Sequence, residues 1–298
     1  MASKSCVLLN PTAGRGAARE ILERIKDQLS GLDVAKVFQT TGPGDEKRQA
    51  FAAIDKGFET IIVIGGDGTC AGVATAILER RAQCRLSAIP AGTGNDFAKT
   101  LGVTKLDPLR ICQLAARGSA TPVDVGMVDG RYFLNSCGFG FDASVLEATK
   151  RVRFLKGDAV YVWSALAQLF TYRGIGISID STMIPQRMLM VTVSNGRFLG
   201  GAFHIAPFAS VLDGELDIGL FGDISPIGRV RVFAGAFRGT HLRLPSVESR
   251  RTSNMTLHFS QPPMMEVDGE LKQARSATVR IECVPRALNV IAAPGYPL

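Results

Sequence analysis

The run Thr60-Ile61-Ile62-Val63-Ile64 passes directly into Gly65-Gly66-Asp67-Gly68-Thr69. A β-branched run of this length reads as a buried strand, and the glycine pair ends it in a tight turn. A helix is expected from Thr69 to Leu78, with Val73, Ile77 and Leu78 on one apolar face. Strand, glycine-rich turn and helix N-terminus together make an anion cradle, because glycine lets the backbone turn its N–H groups toward a ligand. The carboxylate of Asp67 is the discordant element. It repels a phosphate unless a cation or a proton transfer belongs to the chemistry. A tight turn with an aspartate helix cap is the plainer reading, and this segment alone leaves it open.

Two further segments repeat the pattern. Cys6-Val7-Leu8-Leu9 leads into Asn10-Pro11-Thr12-Ala13-Gly14-Arg15-Gly16, after which Ala18, Ile21, Leu22, Ile25 and Leu29 recur at helical spacing. Arg15, between two glycines, is placed to fork onto phosphate oxygens. Leu86-Ser87-Ala88-Ile89 leads into Pro90-Ala91-Gly92-Thr93-Gly94-Asn95-Asp96-Phe97-Ala98. Ligands of open α/β sheets bind beyond the carboxyl ends of the strands, so the three loops are expected to converge on one polyphosphate. The cradle is then drawn from Gly14, Arg15, Gly16, Gly65, Gly66, Gly68, Gly92, Thr93, Gly94 and Asn95. The signature of a P-loop, a glycine-rich run ending in Gly-Lys-Ser or Gly-Lys-Thr, is absent.

In that order, NPTAGRG, GGDGT and PAGTGNDFA resemble the diacylglycerol kinase catalytic-domain family. That family includes bacterial lipid kinases, is similar to sphingosine and ceramide kinases, and more distantly resembles NAD kinases and phosphofructokinases. The match continues through Val123-Asp124-Val125-Gly126, Gly138-Phe139-Gly140-Phe141-Asp142-Ala143 and Asn195-Gly196-Arg197. It also takes in Leu212-Asp213-Gly214-Glu215-Leu216-Asp217 and Val267-Asp268-Gly269-Glu270, and so covers nearly the whole chain. Each motif is modest alone; the ordered set is specific.

The resemblance implies an ATP-dependent, Mg²⁺-requiring lipid kinase. Asn10, Arg15, Thr40, Gly65 to Ala71 (with Asp67, Thr69 and Cys70 among them) and Thr93 are implied to bind ATP, with Thr41 the alternative to Thr40. Glu270 matches the family's general base, taking the proton of the lipid hydroxyl as the γ-phosphoryl arrives. Asp67 is implied either to hold the catalytic Mg²⁺ or to be the base itself, and Asp96 to orient the network. Ser210, Asp213 and Glu215 match the positions of a structural Mg²⁺, Asp213 through its side chain and the other two through backbone carbonyls. An Asp-Gly turn between strands is the plainer reading there, as a hairpin turn is for Asp268-Gly269-Glu270.

Residues 1–122 alternate strand and helix patterns, which argues for a parallel α/β layer. Helical patterns recur at 17–29, 46–55, 70–80 and 108–116. After Pro122, strand-like runs crowd together at 123–128, 131–136, 175–180, 188–194, 216–221, 255–259, 278–283 and 287–292, with glycine and proline between them. The fold class expected is therefore α/β plus all-β. Residues 1–122 form the nucleotide-binding domain, which the resemblance makes a Rossmann-like three-layer α/β domain of the NAD kinase and phosphofructokinase type. Residues 123–283 form an antiparallel β-sandwich carrying the lipid site, and residues 284–298 return to the first domain. The active site is expected in the cleft between the two. Gly138-x-Gly140-x-x-Ala143 fits a dinucleotide fingerprint but lacks the βαβ context and acidic partner that would support it.

A hydrophobic fraction of 46% and a charged fraction of 20% exclude a disordered chain, and no apolar stretch is long enough to span a membrane. The N-terminal apolar run is too short for a signal peptide. Six cysteines without a Cys-x-x-Cys pair, and three histidines without ligand spacing, argue for reduced structural thiols and no transition metal. The net charge of +7 suits an anionic membrane face or a nucleotide; no nucleic-acid-binding motif accompanies it. Residues 150–173 and 225–244 interleave arginine or lysine with apolar and aromatic residues. Such helices dock at a bilayer interface or cover a sheet with their charges solvated. The expected protein is cytoplasmic and peripherally membrane-associated, acts on a membrane lipid, binds no nucleic acid, and by default forms a homodimer. A kinase of a soluble acceptor such as NAD, and a non-catalytic lipid-binding regulator on the same scaffold, are the competing readings.

Overall fold

The computed structural model describes residues 4–32, 34–149, 167–180 and 184–298. Most of the basic and aromatic stretch at 150–173 lies outside the described residues. The chain divides into two compact units. The first comprises Met1–Val125, Val211–Asp213 and Val284–Leu298; the second comprises Gly126–Ser210 and Gly214–Cys283.

The first unit is a parallel sheet covered by helices. Its elements are β1 (Ser5–Leu9), α1 (Ala17–Leu29), β2 (Val34–Gln39), α2 (Asp45–Asp55), β3 (Thr60–Gly65), α3 (Asp67–Arg80), β4 (Arg85–Pro90), α4 (Asp96–Thr100) and α5 (Pro108–Arg117). The strand order is β2-β1-β3-β4, all parallel, with Asn289 and Val290 continuing the sheet beside Arg85 and Leu86. α1 packs with α5 and α2 with α3, giving two helical layers around the sheet. β1 and β3 are buried along their whole length, which is why they read as unbroken apolar runs. β2 shows no such run: it is the sheet edge, and of its six residues only Phe38 is buried. Leu9 lies opposite both Gln39 and Ile64, and Gly65 opposite Pro90, so the strands end together and send their loops off one edge.

Val211–Asp213 belong to the first unit, although their sequence neighbourhood reads as part of the second domain. The N–H of the buried Asp124 donates to Val211 O at 2.8 Å. The Asp124 carboxylate in turn accepts from the Arg286 N–H at 2.7 Å. The tail is held by Ile291 N–H to Leu86 O at 2.9 Å and Ala293 N–H to Leu101 O at 2.9 Å.

The elements of the second unit are the end of β5 (Thr121–Val128), β6 (Arg131–Phe133), β7 (Ser136–Gly140), α6 (Phe141–Thr149), β8 (Ile175–Ile179), β9 (Gln186–Ser194), β10 (Leu216–Gly222), α7 (Pro226–Ala236), β11 (Val247–Thr252), β12 (Asn254–His258), β13 (Met264–Val267), β14 (Glu270–Gln273) and most of β15 (Thr278–Val290). Among the described residues its strands pair antiparallel in β5–β6, β7–β9, β7–β13, β8–β9, β8–β12, β9–β10, β10–β11, β12–β15 and β13–β14. β7, β9, β10 and β13 contribute one face to a core with Ile177, Leu257, Val279 and Ile281. The other face, through Leu189, Met190 and Phe221, is covered by Phe141 and Val145 of α6 and Val232 and Ala236 of α7. Burial on both faces explains the continuous apolar run in β9.

Two strand expectations change. The run at 131–136 breaks into β6 and β7, because the N–H groups of Leu134, Asn135 and Ser136 are taken by the Asp268 carboxylate. The runs at 278–283 and 287–292 join as β15. Arg286 is left-handed (φ 52°) just after Pro285, and its N–H is the one that Asp124 accepts. Among the described residues no helix is long and apolar enough to cross a membrane. The cysteines are free, and all but Cys283 are buried. Burial pushes the thiols of Cys84 and Cys112 up to about 12, which leaves them inert.

Candidate active site

The loops after β1, β3 and β4 meet in the first unit, backbone against backbone. A Cβ on Gly92 would lie 2.6 Å from Gly66 Cα, and one on Gly14 2.2 Å from Ala91 O. Neither loop pair admits a side chain at those positions. Asn10 ties the first loop to the second twice: its N–H donates to Ile64 O at 3.0 Å, and its Nδ2 to Thr69 Oγ1 at 3.1 Å. Ala91 N–H donates to Gly65 O at 2.8 Å, joining the second loop to the third. Gly14 and Arg15 take consecutive left-handed conformations before Gly16 opens α1, which leaves Arg15 exposed at the turn. Asn95, also left-handed, clamps Gly92 from both sides, accepting from its N–H and donating to its O at 2.8 Å each. Thr93 is exposed at the tip of that loop, beside Gly94.

Thr40 continues β2 into the same edge, its N–H on Leu9 O at 2.9 Å. Thr41 is committed elsewhere: its N–H and Oγ1 donate to Asp45 at 2.8 and 2.9 Å. The Arg48 guanidinium holds the Asp45 carboxyl at about 2, so this turn is anchored at any physiological pH.

α3 begins at Asp67, with Gly68 exposed and Thr69 and Cys70 buried in its first turn and Ala71 partly so. An added Cβ at Gly68 meets nothing within 4 Å, so open space lies against this helix end. Asp67 Oδ1 accepts from the Phe97 N–H at the start of α4, 3.0 Å away. Burial raises the Asp67 pKa against that hydrogen bond, and the neighbouring charge of Asp96 adds to the rise. Asp96 is itself buried and paired with Lys99 Nζ at 3.0 Å. Two carboxylates thus stand together where the strand ends converge.

Glu270 lies in the second unit, at the start of β14. Its side chain is 60% exposed and pairs with Lys272 Nζ at 2.5 Å. Asp268-Gly269 is a two-residue hairpin turn with both residues left-handed (φ 46° and 84°). Unlike an ordinary turn it is bolted down, by the three N–H groups on Asp268 and by Gly269 N–H on Glu266 Oε1. Ser210 and Glu215 belong to the second unit and Asp213 to the first; Gly214 between them is left-handed (φ 75°). Among the described residues no group of three or more His, Cys, Asp or Glu side chains is gathered as a metal site.

Residues 4–128 match the family described as the diacylglycerol kinase catalytic domain. Residues 135–292 match the YegS C-terminal NAD kinase beta sandwich-like domain. The chain belongs to the diacylglycerol kinase catalytic-domain family. It is 27% identical to a diacylglycerol kinase of Bacillus subtilis (strain 168), over 89% of this chain and 88% of that one. It is 28% identical to a "Probable lipid kinase YegS-like" of Pseudomonas putida, over 94% of this chain and 92% of that one. A crystal structure of a diacylglycerol kinase from Bacillus anthracis str. Sterne matches with a TM-score of 0.74 at 21% identity, covering 98% of each chain, a likeness of fold. The expected α/β plus antiparallel β-sandwich class therefore holds, and the chain is a member of a lipid-kinase family.

Two further carboxylates of this family member, the buried Asp124 and the half-buried Asp142, lie in its motifs outside the expected site. Asp124 staples the Pro285-Arg286 bulge. Asp142, in the first turn of α6, is half-buried with its Oδ2 closed off from solvent, and its pKa is raised to about 7 by that desolvation. Its Oδ1 accepts from Ala143 N–H at 2.7 Å, while Oδ2 has no hydrogen-bond partner among the described residues and lies where a Cβ of Gly138 would go. This explains the glycines of Gly138-x-Gly140 without a dinucleotide: Gly138 makes room for Asp142, and Gly140 is left-handed (φ 110°). Burial of both positions is set by strands distant in sequence, so only the motif itself could have drawn attention to them.

Proposed function

We propose that this chain is an ATP-dependent lipid kinase that transfers the γ-phosphoryl group to a hydroxyl of a diacylglycerol-like or sphingoid lipid, working in peripheral contact with an anionic membrane. The observation that carries the reading is the meeting of three glycine-rich strand-end loops around Asp67 and Asp96. The names of the curated relatives point the same way.

The residues fit a nucleotide. The space beside Gly68 admits a group against the N-terminus of α3, and Gly14, Gly66 and Gly92 keep the loops close enough for backbone N–H groups to line it. ATP is the phosphoryl donor, and Mg²⁺ offsets the charge of its phosphates. Arg15, Asn10, Thr40 and Thr93 are the side chains assigned to ATP. The Asp213 carboxylate, a hard oxygen donor, is the side chain assigned to a second Mg²⁺. Asp96, neutralised by Lys99, orients the loop that donates to Asp67. The lipid hydroxyl loses its proton to Glu270 or to Asp67. Their environments differ: Glu270 is exposed, whereas Asp67 is largely withdrawn from solvent and its pKa is raised by that burial.

Labelled ATP is incubated with Mg²⁺ and micelles of diacylglycerol, ceramide or sphingosine, and in parallel with NAD. Label in a lipid, lost in Asp67→Ala, supports the reading. Label in NADP, or full turnover by Asp67→Ala, refutes it. If Asp67 is the base, the acid limb of the rate profile is shifted upward from the ordinary aspartate value, and Glu270→Gln leaves it there.

A further inference from the structure

We propose that the exposed face of α7 docks the protein on an anionic lipid bilayer. The inference rests on the lipid-kinase reading for its partner and adds the surface. α7 starts at Pro226, with the Ser225 hydroxyl accepting from Gly228 N–H at 3.3 Å. Arg229, Val232 and Ala236 face the core. Ile227, Val230, Arg231, Ala234, Phe237 and Arg238 are exposed, and their spacing puts them on one side of the helix. The far side of a helix that merely covers a sheet is polar. Here Ile227 is 70% exposed, Val230 47% and Phe237 53%.

The charge around this stripe has one sign. From Ile224 to Val247 the sequence holds four arginines and no aspartate or glutamate. Arg229 is used internally, by the carbonyls of Leu169 and Ile224 and by Asp223. Arg231, Arg238 and Arg243 are exposed and pair with no carboxylate among the described residues. Phe237 is a held anchor rather than a loose side chain. Its ring packs on Phe203 at 4.5 Å, and Phe233 links Phe203 to Phe141 at 6.3 and 4.8 Å. Exposed aromatics adjoin both ends of α7. Phe170 follows the residue whose carbonyl holds Arg229, and Phe208 follows Pro207, on which Gly239 packs.

Apolar anchors flanked by unpaired arginines match the bilayer interface, where the rings enter the acyl boundary and the guanidiniums meet lipid phosphates. A second copy is a poor occupant. A twofold contact sets the patch against itself and brings arginines opposite arginines without a carboxylate between them.

The full-length protein is mixed with phosphatidylglycerol–phosphatidylcholine vesicles and with phosphatidylcholine vesicles, without ATP or acceptor lipid, and bound protein is measured by flotation. Wild type binds the anionic vesicles and is released by high salt. Arg231→Ala and Arg238→Ala each weaken binding roughly fivefold, and Arg231→Lys with Arg238→Lys restores it. Ile227→Ser with Phe237→Ser weakens binding at least tenfold, by about 1.4 kcal/mol, with an unchanged melting curve; if that pair fails to fold, the arginine series decides alone. Equal binding to both vesicles, wild-type binding by the variants, or no vesicle binding overturns the proposal. So does a dimer in sedimentation that the same substitutions dissolve. Transfer to short-chain diacylglycerol, ceramide and sphingosine in detergent micelles is measured separately: its absence with all three sinks the lipid-kinase reading whatever the vesicles show, and its persistence in the variants leaves that reading intact.

Discussion

Replacing Gly68 by alanine separates the stability of the strand-end loops from their use. Gly68 lies in the first turn of α3, and its added methyl meets no atom within 4 Å. Glycine costs a helix roughly 0.5–1 kcal/mol relative to alanine. The apo protein should therefore gain up to about 1 kcal/mol, and its melting temperature should rise by about 1–3 °C. Phosphoryl transfer should move the other way. If the open space takes the nucleotide phosphates, the methyl overpacks it at a cost of about 1–3 kcal/mol, or roughly 5- to 150-fold in kcat/KM. Gly92→Ala is the contrast. Its methyl would lie 2.6 Å from Gly66 Cα and 3.1 Å from Asn95 Oδ1, and backbone does not swing aside. The clash outweighs the roughly 0.4–1 kcal/mol gained from a stiffer unfolded chain. Gly92→Ala should melt lower and lose transfer together. Thermal melts by circular dichroism and transfer from labelled ATP measure both. A Gly68→Ala protein that melts lower, or transfers at the wild-type rate, refutes the assignment of that space to ligand.

Asp142→Asn should flatten the pH dependence of stability. The folded pKa of about 7 stands above the ordinary aspartate value of 3.8. Asp142's contribution is thus complete below about pH 4 and lost as the pH rises through 7, on the order of 4 kcal/mol at most. Denaturant melts at acid and alkaline pH should converge in the variant; an unchanged slope refutes the buried-charge account. Arg229→Ala should cost about 2–4 kcal/mol, because it orphans buried carbonyls and removes packing, while Arg231→Ala two residues on should stay within about 0.5 kcal/mol. Equal effects would show that α7 is turned otherwise. Asp268→Ala should cost about 3 kcal/mol or more by stranding three N–H groups and should also reduce transfer. Glu270→Gln should leave the melting curve unchanged and affect transfer alone, and a large loss of stability there would count against its exposed placement.

What was legible in the chain depended on where each signal is written. β1 and β3 are buried on both faces, so their burial is written in consecutive residues, and α1, α2, α3 and α5 carry their cores at helical spacing. The loops were legible because Gly14, Gly66 and Gly92 are demanded by contacts between loops that follow aligned strand ends, and a glycine demanded by a contact still appears as a glycine. β2 was missed because an edge strand buries little. The break at Leu134 and Asn135 depends on Asp268, more than a hundred residues away, and the allegiance of Val211–Asp213 depends on Asp124. Such side-chain-to-backbone bonds have no period and leave no local pattern. The carboxylates divide along the same line. Asp67 stood out because its turn is local, whereas nothing beside Asp142 in the chain announces a pKa near neutrality, which strands packed from elsewhere create. The same reasoning applies to α7. Its arginines look alike in sequence, and only the fold spends Arg229 on carbonyls while leaving Arg231 and Arg238 beside exposed Ile227 and Phe237. A basic apolar helix becomes a candidate docking face once the structure shows which of its charges are already committed.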